Sequence, residues 1–191
     1  MRIFALFRLS LLAALTLLLT GCAVYNTSSD GKVDNLMLKG YDPVSYFKGK
    51  EPQPGNATFT ASHEYGTYYF ANAENRDVFK AAPDKFAPQY GGFCANGIVY
   101  AIKLGGEPLA YRVVDNKLYI FGEHGSRNLW AMDIPKNQQL GDTYWREEAK
   151  DSSARWQTFK RLTFRVPHYK TGKELNEEYA AWLAKGNKPL P

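Results

Sequence analysis

Cysteine is almost absent from this chain of 191 residues, which holds two, Cys22 and Cys94. Two thiols cannot build the disulfide framework of a small secreted domain, so any fold has to rest on an apolar core. Histidine is scarce as well: His63, His124 and His168 are the three, and none forms an i, i+4 ligand pair or joins a Cys-x-x-Cys clip. A preformed zinc site therefore has no support in the spacing. No glycine-rich loop opens a helix in the phosphate-cradling pattern, and the carboxylates are scattered through polar stretches, so no motif with a mechanism marks an enzyme. Removing Arg2 and Arg8 from the 24 basic residues leaves 22 against 19 acidic ones, a surplus of three. With so small a surplus and no run of Lys and Arg able to follow a phosphate backbone, nucleic acid is excluded as a partner.

Residues 1–22 begin with Arg2 and Arg8, continue as an apolar run from Leu9 to Leu19, and end Leu19-Thr20-Gly21-Cys22. A cationic start, a short apolar segment and small residues at the cut are the parts of a secretory signal. The apolar run is too short for the roughly 20 residues of a spanning helix. It resembles a bacterial lipoprotein signal, with 1–21 removed and Cys22 acylated, palmitate included. Ala23 rather than Asp follows, which points in a Gram-negative cell to the periplasmic face of the outer membrane, with the lipid anchor as the membrane contact. Residues 22–34, polar and without period, are expected to be a flexible tether, with folded structure beginning near Asn35.

The rest reads as a small α+β fold. Thr58-Phe59-Thr60-Ala61 and Thr67-Tyr68-Tyr69-Phe70, rich in β-branched and aromatic residues, predict a hairpin turning at Glu64-Tyr65-Gly66. Asn72 caps a helix that Pro83 stops, with Val78 and Phe79 facing the sheet, and a second short helix holds Pro83-Asp84-Lys85-Phe86. Tyr111–Val114 and Lys117–Phe121 flank Asp115-Asn116, a two-residue hairpin signal. Trp145, Ala149, Ser152, Trp156 and Phe159 recur at helical spacing. Thr171-Gly172-Lys173-Glu174 forms a capping box ahead of Leu175, Tyr179, Trp182 and Leu183. Both stripes are expected to be core contacts. The expected organisation is a small antiparallel sheet of hairpins with short helices over 35–121 and a helical C-terminal extension over 122–191, packed on the same domain.

Three stretches together resemble the YHS domain in its exported bacterial branch: Lys39-Gly40-Tyr41-Asp42-Pro43-Val44-Ser45-Tyr46-Phe47; Tyr68-Tyr69-Phe70 leading to Asn75-Arg76-Asp77-Val78-Phe79; and Tyr90-Gly91-Gly92-Phe93-Cys94-Ala95. The resemblance covers roughly Leu36 to Phe121. It implies this fold and a role in binding copper or another heavy-metal ion. The metal-linked relatives place cysteines where this chain has Ser45, Ala71 and Asn75, and soft metals select thiolates.

Cys94 is the sharpest candidate site. A lone thiol in an oxidising compartment is buried, metal-bound, cross-linked or kept reduced. Gly91 and Gly92 before it would let a ligand approach, whereas Phe93 and Ala95 beside it favour a buried, inert thiol. His63, where exported relatives often carry a histidine, is the second candidate metal ligand, if the fold brings it to Cys94. Met37 and Met132 are read as core fillers, and Asp42 as a turn residue bonding the backbone two residues on. The functional expectation is a binding protein for a metal ion or small ligand near Cys94. The alternatives are an envelope protein whose helices after Phe121 dock a protein partner, and a thiol-dependent enzyme.

Overall fold

Aromatic and β-branched residues in two blocks, each interrupted by a turn, build two hairpins, and the computed structural model, which describes residues 25–49, 51–164 and 170–189, is an α+β fold around them. Cys22, the signal and His168 lie outside the described residues. Strands β3 (Asn56–His63) and β4 (Gly66–Phe70) form the first hairpin, turning through Glu64 in the left-handed region, φ 51°. Strand β2 (Leu36–Met37) adds to β4 in parallel, and β1 (Thr27–Ser28) pairs antiparallel with β2, giving the order β1-β2-β4-β3. The larger sheet is thus mixed, where the sequence predicted an antiparallel one.

Order also begins before Asn35. The Asn26 amide donates to the Gly91 carbonyl (2.8 Å) and its side chain to the Gly92 carbonyl (3.1 Å). Asp30 turns the chain at Gly31 (φ 82°), its carboxylate accepting the Lys32 and Val33 amides and the Tyr69 hydroxyl. The polar residues that suggested a tether are turn formers satisfied by backbone and by partners remote in sequence, a distinction composition does not carry.

Helix α1 (Ala73–Ala81) starts at Asn72, whose side chain accepts the Asn75 amide at 2.8 Å, and α2 (Pro83–Phe86) follows the break. Phe79 and Asn75, four residues apart, face the sheet. Val78, expected there too, is 40% exposed because the neighbouring position turns about 100° away.

The second hairpin, β5 (Glu107–Val114) and β6 (Lys117–Phe121), turns through Asp115 and Asn116, both left-handed as a type I′ turn requires. Strand β6 is buried on both faces. Leu118 and Ile120 enter one core cluster with Met37, Tyr46, Phe70 and Phe79, while Tyr119 and Phe121 enter a second with Tyr90, Cys94 and Trp130. Period-two alternation therefore joins two cores across one strand. Between the hairpins lie a left-handed turn at Tyr90–Gly92 and the short helix α3 (Ala95–Ile98).

Helix α4 (His124–Trp130) buries Trp130 completely against Tyr119 and Phe121, with ring centroids 4.9 and 5.4 Å apart. Helix α5 (Ile134–Tyr144) runs into a π-helical turn, Trp145–Ala149. The continuous helix predicted from Trp145 to Phe159 is broken. Lys103, 4% exposed, sends its ammonium to the Lys150 and Ser152 carbonyls (2.9 and 2.7 Å), and Ser153 caps a new helix through the Trp156 amide. That helix is α6 (Ala154–Phe164), and α7 (Gly172–Ala184) follows with its capping box between Thr171 and Glu174 formed. Among the described residues no helix is long and apolar enough to cross a membrane.

Candidate functional site

The Asp42-Pro43 turn places a carboxylate inside the fold. Asp42 is fully buried; one oxygen accepts the Val44 amide (2.8 Å), the other the Ala71 amide (2.9 Å) and the Asn75 side chain. Its carbonyl accepts the Ser45 hydroxyl at 2.6 Å, and Lys48 reaches the Asn75 carbonyl oxygen at 2.7 Å. Ser45, Ala71 and Asn75, the three positions at which the YHS resemblance would place cysteines, thus meet around Asp42. Here they offer a hydroxyl and an amide already engaged in hydrogen bonds, and a methyl. That donor set does not fit a soft metal ion. The group instead ties the turn, the end of β4 and the first turn of α1 into one network, a wider role than the local turn contact predicted for Asp42.

Cys94 is 2% exposed within the second core cluster. Its amide donates to the Leu104 carbonyl (2.9 Å), and it bridges to Ile120 of β6. Gly122 packs over the sulfur, so that a Cβ there would lie 3.8 Å from Sγ. The contacts of His63 are with Asp84 and Phe79. Among the described residues no group of three or more His, Cys, Asp and Glu side chains is arranged to hold a metal. Of the methionines read as fillers, Met37 is buried under Gly66 and Gly92, and Met132 lines a groove beneath α7.

His63 ends β3 and lines a cleft of about 230 Å³. Its Nε2 donates to Asp84 Oδ1 at 2.9 Å, and its ring stands edge-on to Phe79. Tyr68, Tyr90, Gly91, Trp145 and Lys150 line it as well. Tyr25 closes one side by donating its hydroxyl to Glu64. Burial above all holds the Tyr25, Tyr68 and Tyr90 phenols well above the ordinary tyrosine range, with the Glu64 charge adding to the first two and Asp142 to the third. They remain protonated donors at physiological pH. The cleft is therefore lined by neutral phenols, those of Tyr25 and Tyr90 already donating to Glu64 and Asp142, together with Lys150, the carboxylates of Glu64 and Asp84, and the Trp145 ring. Such a lining suits a small polar molecule held by several hydrogen bonds.

The turn that brings Tyr90 and Gly91 to the cleft is strained. Tyr90 (φ 55°), Gly91 (φ 59°) and Gly92 (φ 77°) are three consecutive left-handed residues, and for tyrosine this conformation costs about 1–3 kcal/mol. It is held from outside. The Tyr90 hydroxyl donates to Asp142 (2.9 Å), the Asn26 amide fixes the Gly91 carbonyl, and Gly141 of α5 leaves room for the ring. A Cβ on Gly141 would come within 2.5 Å of that hydroxyl oxygen.

The glycines singled out for exposing Cys94 thus shape a cleft beside it and leave the sulfur covered. Tyr90, Lys150 and Asp84 were missed as site residues because nothing local marks them; the one available signal was a bulky residue preceding two glycines. His124 falls elsewhere, in a separate cleft with Arg112 and Arg127. Compared with models of protein families, with curated proteins and with solved structures, the chain matches none.

Proposed function

We propose that the chain is a lipid-anchored envelope protein, held through Cys22 at the periplasmic face of the outer membrane, whose YHS-like domain binds a small polar ligand in the cleft between His63 and Tyr90. The observation that carries this reading is the meeting there of the Tyr90-Gly91-Gly92 motif with His63. The Tyr90-Gly91-Gly92 turn is kept in a costly conformation at the same cleft that His63 enters, and stored strain of this kind gathers at functional sites. Binding rather than catalysis is favoured because the one thiol described is covered, and a cysteine nucleophile needs access and a base within hydrogen-bond reach. The ligand is placed away from Cys94, and a small polar molecule is preferred to a metal ion, since soft-metal ligands are missing at Ser45, Ala71 and Asn75.

The test is mass spectrometry of the protein extracted from its own envelope, under native and then denaturing conditions. The reading predicts a polypeptide mass that starts at an acylated Cys22, plus a small molecule of fixed mass seen only in the native spectrum. An unmodified Met1 start would overturn the anchor, and identical native and denatured masses would overturn the ligand.

A further inference from the structure

Helix α6 is attached to the domain by the wrong side for an ordinary amphipathic helix. Gln157, 1% exposed, donates its amide to the Glu148 carbonyl at 2.7 Å, and one turn on Lys160 pairs with the Glu148 carboxylate at 3.2 Å. The polar face therefore looks inward. Trp156, Phe159 and Leu162, spaced by three residues along the opposite face, are 50%, 48% and 75% exposed, and Phe164 at the end is 69% exposed. Trp156 and Phe159 stack on each other at 5.4 Å, and Phe164 stands edge-on to Phe159 at 6.1 Å. Single exposed apolar side chains need no account, but three aligned by the helical period on 11 residues, with Phe164 at the helix end against Phe159, make a surface that expects a partner.

Charge selects the partner. From Ser152 to Lys173 the sequence holds Arg155, Lys160, Arg161, Arg165, Lys170 and Lys173 and no acidic residue. Lys160, Lys170 and Lys173 pair with Glu148, Glu178 and Glu177, yet an aromatic and aliphatic face on a segment whose own charges are all cationic is the composition of a helix that lies in the interface of an anionic bilayer. We propose that α6 rests on an anionic lipid surface, with Trp156, Phe159 and Leu162 entering the headgroup boundary. A tether at Cys22 would raise the effective concentration of that surface, but the contact is carried by α6 itself. It stands apart from the His63 cleft, and either can fail alone.

The experiment uses the mature chain with Cys22→Ser, so that no acyl group contributes, sedimented with vesicles of phosphatidylcholine with and without phosphatidylglycerol. The expected result is binding to the anionic vesicles that weakens with added salt, with tryptophan emission moving to the blue. Phe159→Ser with Leu162→Ser should reduce affinity at least ten-fold, and Arg155→Gln about five-fold. These side chains are exposed, so circular dichroism should show the fold retained; should the double variant unfold, Arg155→Gln alone decides. No binding to anionic vesicles, equal binding to neutral ones, or binding unchanged in the variants would overturn the proposal. So would self-association of the chain that these variants abolish, which would assign the face to a second copy.

Discussion

The thiol of Cys94 is 2% exposed in the core cluster that also holds Phe93, Phe121 and Trp130, and its chemistry follows from that burial. Cys94→Ser should lower stability by about 1–3 kcal/mol, since a hydroxyl there has to be desolvated in an apolar cluster, while Cys94→Ala should cost less. Urea midpoints would show the order, and alkylation of wild type should be slow until the protein unfolds. Asp42→Asn should be more damaging than its small change in shape suggests. Its amide group would face either the Val44 amide or the Ala71 and Asn75 donors, leaving buried donors unpaired at a cost of about 2–4 kcal/mol. Legibility at this scale was uneven. Asn72, the Asp115-Asn116 pair and the Thr171 box were readable because caps and turns are satisfied within a few residues. The reach of Asp42 to Ala71 and Asn75, 29 and 33 positions away, was not, because partner choice across such distances is decided by the fold.

Elements obeyed their local patterns and departed from them where one distant side chain intervened. A single helix from Trp145 to Phe159 was the natural reading of the spacing, yet the Lys103 ammonium takes two carbonyls just where that helix would continue. Lys103→Met should therefore loosen Lys150–Phe164 while leaving the two hairpins intact. Hydrogen exchange should rise in α6 and stay unchanged in β5 and β6; uniform protection in both would contradict this account of the break. Gly141→Ala tests the strained turn through the element that supports it. The added methyl displaces the Tyr90 ring, the bond to Asp142 is lost, and the destabilisation should be about 1–3 kcal/mol with α5 still helical. The aromatic stripe of α6 shows what a periodic pattern leaves open. It fixes that the residues share a face and not which way that face turns, and here it turns outward.

The molecule as a whole is a protein of buried phenols. Tyr46, Tyr68 and Tyr90 are all held above the ordinary value of 10.0 chiefly by burial. In the unfolded chain they ionise near that value, while in the folded state they keep their protons. Above pH 10 the unfolded state therefore releases protons that the folded state retains. The stability they contribute is complete below 10.0 and is lost as pH rises beyond it, so urea midpoints should hold steady from neutrality toward that value and then fall steeply. A midpoint independent of pH across that range would mean that these phenols titrate freely. The α+β class was legible from hairpin and cap signals alone. Two cores sharing β6, and a cleft assembled from β3, α2, the Tyr90 turn and the end of α5, were not, since each needs the packing of segments far apart in the chain. The measurement that goes furthest is native mass spectrometry of three proteins extracted from the same envelope: wild type, His63→Ala and Cys94→Ser. A ligand in the cleft predicts the same small adduct on wild type and Cys94→Ser and its loss from His63→Ala; an adduct that survives in His63→Ala and disappears from Cys94→Ser would contradict it.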